Sequence, residues 1–157
     1  MPLAIEINCC AKLATDADFT PFIQEFDAYK RNSDRHSAPT RQEQEEYASI
    51  SPLFGRDRRN VDTEEPFLQA QETLSHLHNR QDDSVWTDEE GDPLSQWECT
   101  SDSYLIYSYF VNNGIRYYYI VDFIDNDAHA NWDNEEAKLM WIQEAKDYRL
   151  SIQQAAA

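Results

Sequence analysis

Glycine and cysteine are both scarce in this chain of 157 residues, which contains three of each. None of the glycines belongs to a phosphate-binding glycine-rich motif, so the sequence argues against a nucleotide-binding loop. The cysteines, Cys9, Cys10 and Cys99, form neither a disulfide framework nor a metal-binding pattern, and we interpret them as small buried apolar residues. The sequence also lacks a zinc motif and a nucleophile elbow. We therefore predict a protein without a metal ion or another cofactor.

Basic residues are also few, with 13 lysines and arginines against 30 aspartates and glutamates, giving a net charge of −17. A charge of that sign opposes indiscriminate binding to nucleic acid. The charge is uneven along the chain. Residues 81–157 carry 4 basic and 16 acidic residues, a net of −12, whereas residues 28–60 carry 7 and 5, a net of +2. A phosphate-binding surface must therefore draw on the first half of the chain.

Long apolar runs are missing, and none approaches the ~20 residues of a membrane span. Residues 1–6 lack the basic and apolar regions of a signal peptide. Hydrophobic residues make up 41% of the chain and aromatic residues 13%, which is typical of a folded protein. We therefore predict one cytoplasmic domain covering residues 1–157, with no membrane partner.

The most informative stretch is residues 101–134. Aromatic and branched residues at 104–110 and 115–124 predict two strands, and the Asn-Asn-Gly sequence at 112–114 predicts the tight turn between them. A polar segment, 125–134, follows at once. It contains a histidine and a tryptophan, so the hairpin could deliver a functional site at one edge of a sheet. An ordinary polar loop is the alternative, and both remain open at this point.

The other segments are assigned from apolar spacing, capping residues and breaks. They predict helices at 18–31, 42–49, 63–79 and 134–153, strands at 3–7 and 94–99, and an arginine-containing loop at 53–59. On the predicted third helix, His76 and His78 point to different faces and form no metal site. The order of elements predicts an α+β fold, with a small, mainly antiparallel sheet and helices packed on one face.

The inventory of polar residues suits metal-free cleavage of RNA. In that reaction a base takes the proton of a ribose 2′-OH, a cation stabilises the charged phosphorane, and an acid protonates the leaving 5′-oxygen. An aromatic ring can hold a base by stacking. The arginines of the 53–59 loop could bind phosphate through two parallel hydrogen bonds. An Arg–Asp pair that pins this loop explains the same residues.

An ordered series of short segments runs from residue 22 to residue 149. It consists of FIQEFDAYKR at 22–31, SPLFGRD at 51–57, PLSQW at 93–97, TSD at 100–102, LIY at 105–107, His129, Asp133-Asn134, Ala145 and Tyr148-Arg149. This series resembles the YafO family of bacterial type II toxins, and SPLFGRD is its most specific piece. The resemblance covers nearly the whole chain.

The resemblance implies an architecture similar in outline to that of the RelE-like toxins. It further implies a ribosome-dependent mRNA endonuclease, or mRNA interferase, that cuts without a metal ion and arrests translation. The implied partners are a cognate antitoxin, the ribosome and mRNA. Whether the chain also forms a homodimer stays open.

The catalytic candidates that the resemblance supplies are Arg56, Asp57, His129 and Asp133. His129 would act as general base or general acid, and Arg56 would stabilise the phosphorane. Asp57 would position Arg56. Asp133, together with Asn134, would orient the loop, although both residues equally suit the cap of the last helix.

The RNA-binding candidates come from both halves of the chain. Arg58 and Arg59, with Lys30 and Arg31, would hold backbone phosphates, and Trp132 would stack on a base. Asn134 completes this set. Arg149 could supply a second cation or pair with a neighbouring acidic residue of its own helix.

These assignments carry a geometric requirement, because the 53–59 segment must lie beside His129 for the two to act on one phosphate. Placement on opposite sides of the sheet would exclude the catalytic hypothesis. The alternative function is an acidic, non-enzymatic binding or immunity protein that neutralises a basic partner. The net charge of −12 over residues 81–157 is the observation behind it.

Overall fold

The computed structural model describes residues 4–32, 39–60, 72–131 and 134–155. Within these residues, one sheet has the strand order β1-β5-β4-β3-β2. Its strands are β1 (Ala4–Cys9), β2 (Phe54–Arg59), β3 (Ser75–Asn79), β4 (Tyr104–Asn112) and β5 (Ile115–Ile124). β1 runs parallel to β5, and the other neighbouring strands are antiparallel. The predicted α+β class with a mainly antiparallel sheet is confirmed.

The helices of the described residues surround this sheet. They are α1 (Ala11–Ala14), α2 (Thr20–Arg31), α3 (Arg41–Glu46), α4 (Ala128–Asn131) and α5 (Glu135–Ala155), with 3₁₀ turns at Ala17–Phe19 and Gln96–Glu98. The predicted helices at 18–31 and 134–153 are confirmed as α2 and α5, and that at 42–49 is confirmed as α3 but ends earlier, at Glu46. Among the helices that the structure describes, none is both long and apolar enough to cross a membrane.

The predicted hairpin is confirmed as β4 and β5. Asn113 has a φ of 50° and Gly114 a φ of 76°, which is the left-handed backbone that a two-residue hairpin turn requires. The pairing extends from Asn112 and Ile115 beside the turn to the far end of both strands, with a bulge after Ile106. This hairpin forms the centre of the sheet.

Different helices cover the two faces of the sheet. Phe26 of α2 packs with Tyr107 and Tyr118 on one side, which we call the α2 face. Trp141 of α5 packs with Ile106 on the other side, the α5 face. The helices thus cover both faces rather than the one that we predicted. The cause is the continuous apolar run of β4, which directs apolar side chains to both sides.

Three segments differ from the sequence prediction. The helix predicted over 63–79 is wrong at its end, where Ser75–Asn79 is strand β3, and residues 61–71 lie outside the described residues. The loop predicted at 53–59 is strand β2, and a 3₁₀ turn replaces the strand predicted at 94–99. β3 pairs with a strand on each side, so its structure is set by tertiary pairing that local spacing does not reveal.

A buried ion pair fixes β2 against α2. Lys30 Nζ lies 2.9 Å from Asp57 Oδ2, and the two side chains are 1% and 0% exposed. The hydroxyls of Tyr29 and Tyr107 donate to the same carboxylate at 2.7 Å each. Burial, together with the Asp57 carboxylate, raises the pKa of Tyr107 well above its ordinary value, which keeps this hydroxyl a donor. The α2 side of β2 is therefore closed.

Candidate functional site

Arginine side chains lie close together at the β2 edge of the sheet. The guanidinium carbon of Arg56 lies 4.2 Å from the centre of the Trp97 ring, and that of Arg41 lies 4.9 Å from it. The Arg56 Nε–H also donates to the main-chain carbonyl of Trp97 at 2.6 Å. Arg58 follows on the same strand, paired with His76 of β3. We call Arg41, Arg56 and Arg58 the arginine cluster.

A close approach at Gly55 brings Trp97 to this strand. A Cβ atom on Gly55 would lie 2.2 Å from the carbonyl oxygen of Cys99, so no larger residue fits without a shift. The contact lets the Arg56 N–H donate to that carbonyl at 2.8 Å. Gln96 adds a second link, because its Nε2–H donates to the Gly55 carbonyl at 3.1 Å. These two hydrogen bonds hold the 3₁₀ turn against the main chain of β2.

The electrostatics of the cluster are those of an anion site. Burial and the positive charges of Arg58 and Arg41 lower the pKa of Arg56. Arg41 is paired with Glu45 at 2.7 Å, whereas Arg56 has no carboxylate within ion-pair distance among the described residues. Guanidinium groups held together against their mutual repulsion favour a bound phosphate, which would relieve it.

Two histidines of β3 lie beside the cluster on the α5 face. They stand two residues apart on a strand and therefore share a face. The ring centres of His76 and His78 lie 5.6 Å apart, and both rings contact Tyr104, at 4.8 and 4.6 Å. Sequence analysis missed this pair because it assigned the segment to a helix.

Both histidines are neutral at physiological pH. Burial, followed by nearby positive charge, lowers the pKa of His76 well below its ordinary value. Burial and the Arg56 charge lower the pKa of His78 to about 4. His78 Nδ1 lies 2.9 Å from the Ser101 nitrogen and 3.1 Å from the Ser101 carbonyl oxygen, so the main chain of Ser101 fixes the ring. Neutral rings can sit near the arginines without charge repulsion.

His129 lies on this same side of the sheet. It is an exposed residue of α4, and its neighbour Ala128 is buried among the α5-face residues that include Tyr104. Asp102 fixes the start of α4, since its side chain accepts from the His129 N–H at 2.7 Å and its carbonyl from the Ala128 N–H at 3.0 Å. The charge of Asp102 also acts on His78 and Tyr104. Arg56 and His129 are therefore not separated by the sheet.

Several predicted residues lie elsewhere. Lys30 is buried in its pair with Asp57, so it cannot contact RNA as predicted. Asp57 faces α2 and not Arg56, so its predicted positioning of Arg56 is also wrong. Arg31 pairs with Asp27 on α2, and Arg59 is on the α2 face of β2, opposite to Arg58. The cationic surface is thus smaller than predicted.

The last predicted residues are those at 132–134 and Arg149. The Asn134 side chain accepts from the Ala137 N–H at 3.1 Å, so it caps the helix, which was one of its two predicted roles. Trp132 and Asp133 lie outside the described residues. Arg149 binds Glu72 through Nε and Nη2 at 2.8–3.2 Å, not an acidic neighbour on its own helix.

The site thus combines predicted and unpredicted residues, and Arg41 and Trp97 belong to the second group. The contact of Trp97 with Arg56 depends on the close approach at Gly55, for which the glycine itself is the only local signal. Among the described residues, no group of three or more histidine, cysteine, aspartate or glutamate side chains could hold a metal ion.

The fold and this surface define a small α+β protein with a cationic, histidine-bearing edge in an otherwise acidic molecule. A family model described as Toxin YafO, type II toxin-antitoxin system, matches residues 27–150. The chain therefore belongs to the YafO toxin family, as the sequence resemblance indicated, and the family implies an antitoxin as partner. Searches of curated proteins and of solved structures find no match.

Proposed function

We propose that this toxin is a ribosome-dependent mRNA endonuclease whose reaction uses side chains rather than a metal ion. The observation that carries the proposal is the arginine cluster beside the histidines of the α5 face. It concentrates positive charge at one edge of a protein whose net charge is −17. A local cation site of this kind suits one phosphate of an RNA chain and does not suit general nucleic-acid binding.

In the proposed reaction, a ribose 2′-OH loses its proton to a general base and its oxygen attacks the adjacent phosphorus. The P–O5′ bond breaks, and a general acid protonates the leaving 5′-oxygen. The products are a 2′,3′-cyclic phosphate and a 5′-hydroxyl. Arg56 and Arg58 would bind the non-bridging oxygens and stabilise the negative charge of the phosphorane.

His129 is the proposed acid–base residue, because it is exposed at the edge of the α5 face. Its main chain is held by Asp102, which leaves the ring to meet the substrate. His76 and His78 are nearly buried, and we assign them to the floor of the site. Because both rings are neutral, the positive charge of the site comes from the arginines alone. Trp97 would hold Arg56 in place through its ring and its main-chain carbonyl.

The acidic remainder of the surface also bears on the mechanism. A net charge of −17 slows diffusion toward free RNA, so the toxin would need a further determinant of binding. Docking on the ribosome supplies one, since mRNA is then presented at a fixed position. This requirement is consistent with cleavage that depends on translation.

The test compares variants in a cell-free translation extract, with RNA cleavage mapped by primer extension. Arg56→Ala is expected to lower the cleavage rate by about 10²–10³-fold, and His129→Ala by about 10²–10⁴-fold. Arg58→Ala and Arg59→Ala form a matched pair, since they remove the same charge from opposite faces of one strand. Only the first is expected to impair cleavage.

Two outcomes would overturn parts of the proposal. Soluble wild-type protein that leaves all mRNA intact in an active extract would remove the endonuclease function and favour the acidic binding protein. Equal loss in Arg58→Ala and Arg59→Ala, with unfolding curves like that of the wild type, would place the RNA elsewhere.

A further inference from the structure

A cavity opens on the side of the molecule where β1 and β5 end. It has a volume of about 340 Å³ and lies between α1, β5 and α5. Its lining is mainly apolar and includes Cys10, Val121, Ala137, Met140 and Trp141. The volume is at the lower end of the range of ~300–1,000 Å³ for ligand sites. That size suits apolar side chains of a docking segment.

The rim of this cavity exposes apolar surface without a covering element among the described residues. Met140, which lines the cavity, is 63% exposed. Trp141 forms the floor, where it is buried and its Nε1–H donates to Asp122 Oδ2 at 2.9 Å. A buried aromatic floor beside an exposed apolar side chain suits a protein-binding anchor site.

Three charged residues line the cavity, and two of them form an ion pair with each other. Lys12 Nζ lies 2.9 Å from Asp122 Oδ1, so these two residues satisfy each other. Glu144, the other charged residue in the lining, forms no ion pair or hydrogen bond among the described residues. Burial raises its pKa, against the opposing effect of Lys12. Glu144 is exposed, and a carboxylate without an ionic partner at the mouth of an apolar cavity favours a cationic partner.

We propose that this cavity is the docking site for a basic amphipathic segment of the antitoxin. An apolar side chain of the segment would enter the cavity, and an adjacent lysine or arginine would pair with Glu144. Charge complementarity supports this partner, because a toxin of net charge −17 attracts a basic protein. The inference rests on the toxin–antitoxin part of the proposed function and is independent of RNA cleavage.

The proposed antitoxin site and the proposed RNA site lie at opposite edges of the sheet. The cavity lies at the β1 and β5 edge, whereas the arginine cluster lies on β2, at the opposite edge. An antitoxin held here could leave the cluster itself uncovered. Binding to this cavity can therefore be measured without reference to catalysis.

The test uses the full-length toxin and the tagged product of the reading frame that adjoins its gene, with affinity measured by biolayer interferometry. Glu144→Lys and Met140→Asp are each expected to weaken binding by at least about tenfold. Their matched controls are Glu90→Lys, in an exposed acidic loop, and Val85→Asp, at a residue that is 73% exposed. Both controls should bind like the wild type.

Growth provides the second readout, because a toxin that is no longer bound should escape neutralisation in co-expressing cells. Unfolding curves establish that each variant is folded. Wild-type affinity in both folded cavity variants would overturn the proposal, as would equal weakening in the two controls. A dimer of the toxin alone that Met140→Asp dissociates would assign the cavity to a second copy and also overturn it. Failure of RNA cleavage by wild-type toxin would leave these binding results unaffected.

Discussion

The buried Lys30–Asp57 pair predicts a large and specific effect of substitution. Lys30→Met keeps a long side chain at this position but removes the only cation that the structure places against the Asp57 carboxylate within the described residues. Loss of one partner from a buried ion pair costs about 3–5 kcal/mol, because the other charge remains desolvated. The lower end applies here, since the hydroxyls of Tyr29 and Tyr107 still donate to the carboxylate.

The expected loss in the free energy of unfolding is therefore about 3 kcal/mol for Lys30→Met, or a fall in Tm of about 6–12 °C for a domain of this size. Asp57→Asn should cost at least as much, because it leaves the Lys30 ammonium buried. The double variant should lose less than the sum of the two, since neither charge is then left alone. Urea unfolding followed by tryptophan fluorescence measures all three values.

The same variants test the assignment of the two sheet faces. Folded Lys30→Met protein should keep the wild-type cleavage rate, because Lys30 lies under α2 and not beside the arginine cluster. Unchanged stability together with lost RNA binding would refute this reasoning. That result would return Lys30 to the RNA-binding role that its sequence position first indicated.

Three further predictions concern the site and its supports. The folded pKa of His78 is about 4, below the ~6.5 of the unfolded chain, so His78 contributes about 3 kcal/mol that is present above pH 6.5 and lost as the pH falls to 4. His78→Gln should reduce the slope of the pH–stability curve in that range, and His76 accounts for part of the slope that remains. Gly55→Ala should cost about 1–3 kcal/mol and reduce cleavage, because its Cβ would meet the Cys99 carbonyl at 2.2 Å. Arg149→Ala should cost about 2 kcal/mol in urea unfolding, because buried Glu72 loses its partner.

The hairpin and the two long helices were predictable because their patterns are local. Residues 104–110 and 115–124 are rich in aromatic and branched side chains, and the turn between them has the residues that positive φ requires. α2 and α5 carry apolar residues at helical spacing, and Asn134 caps the start of α5. Each of these signals acts within one element, so no tertiary information was needed.

β2 and β3 were not predictable, because their polar side chains find partners only in the folded chain. β2 reads Phe-Gly-Arg-Asp-Arg-Arg, without the apolar alternation that marks a half-buried strand. β3 includes His76, Leu77 and His78, and all five of its residues are buried between neighbouring strands. Burial of polar residues at this density depends on contacts with distant segments, which the local sequence does not contain.

Some residues of the candidate site were likewise predictable from the sequence, and others were not. Arg56, Arg58 and His129 were selected from residue type and family resemblance, and they share the α5 side of the sheet. Trp97 meets Arg56 because Gly55 allows the 3₁₀ turn to approach β2, and Arg41 of α3 contacts the same ring. His76 and His78 share a face only on a strand, so the incorrect helix concealed their proximity. The wrong prediction for β3 is therefore the reason why His76 and His78 were missing from the predicted site.

The alternation of β2 also explains how an acidic protein maintains a cationic surface. Asp57 lies between Arg56 and Arg58 in sequence, and on the same face it would neutralise them. The strand instead directs Asp57 to the α2 face, where Lys30 and two tyrosine hydroxyls satisfy the carboxylate. The ion pair that anchors the strand therefore also keeps its own carboxylate away from the arginines. Stability on one face and positive potential on the other follow from a single register, so a shift of β2 by one residue would abolish both.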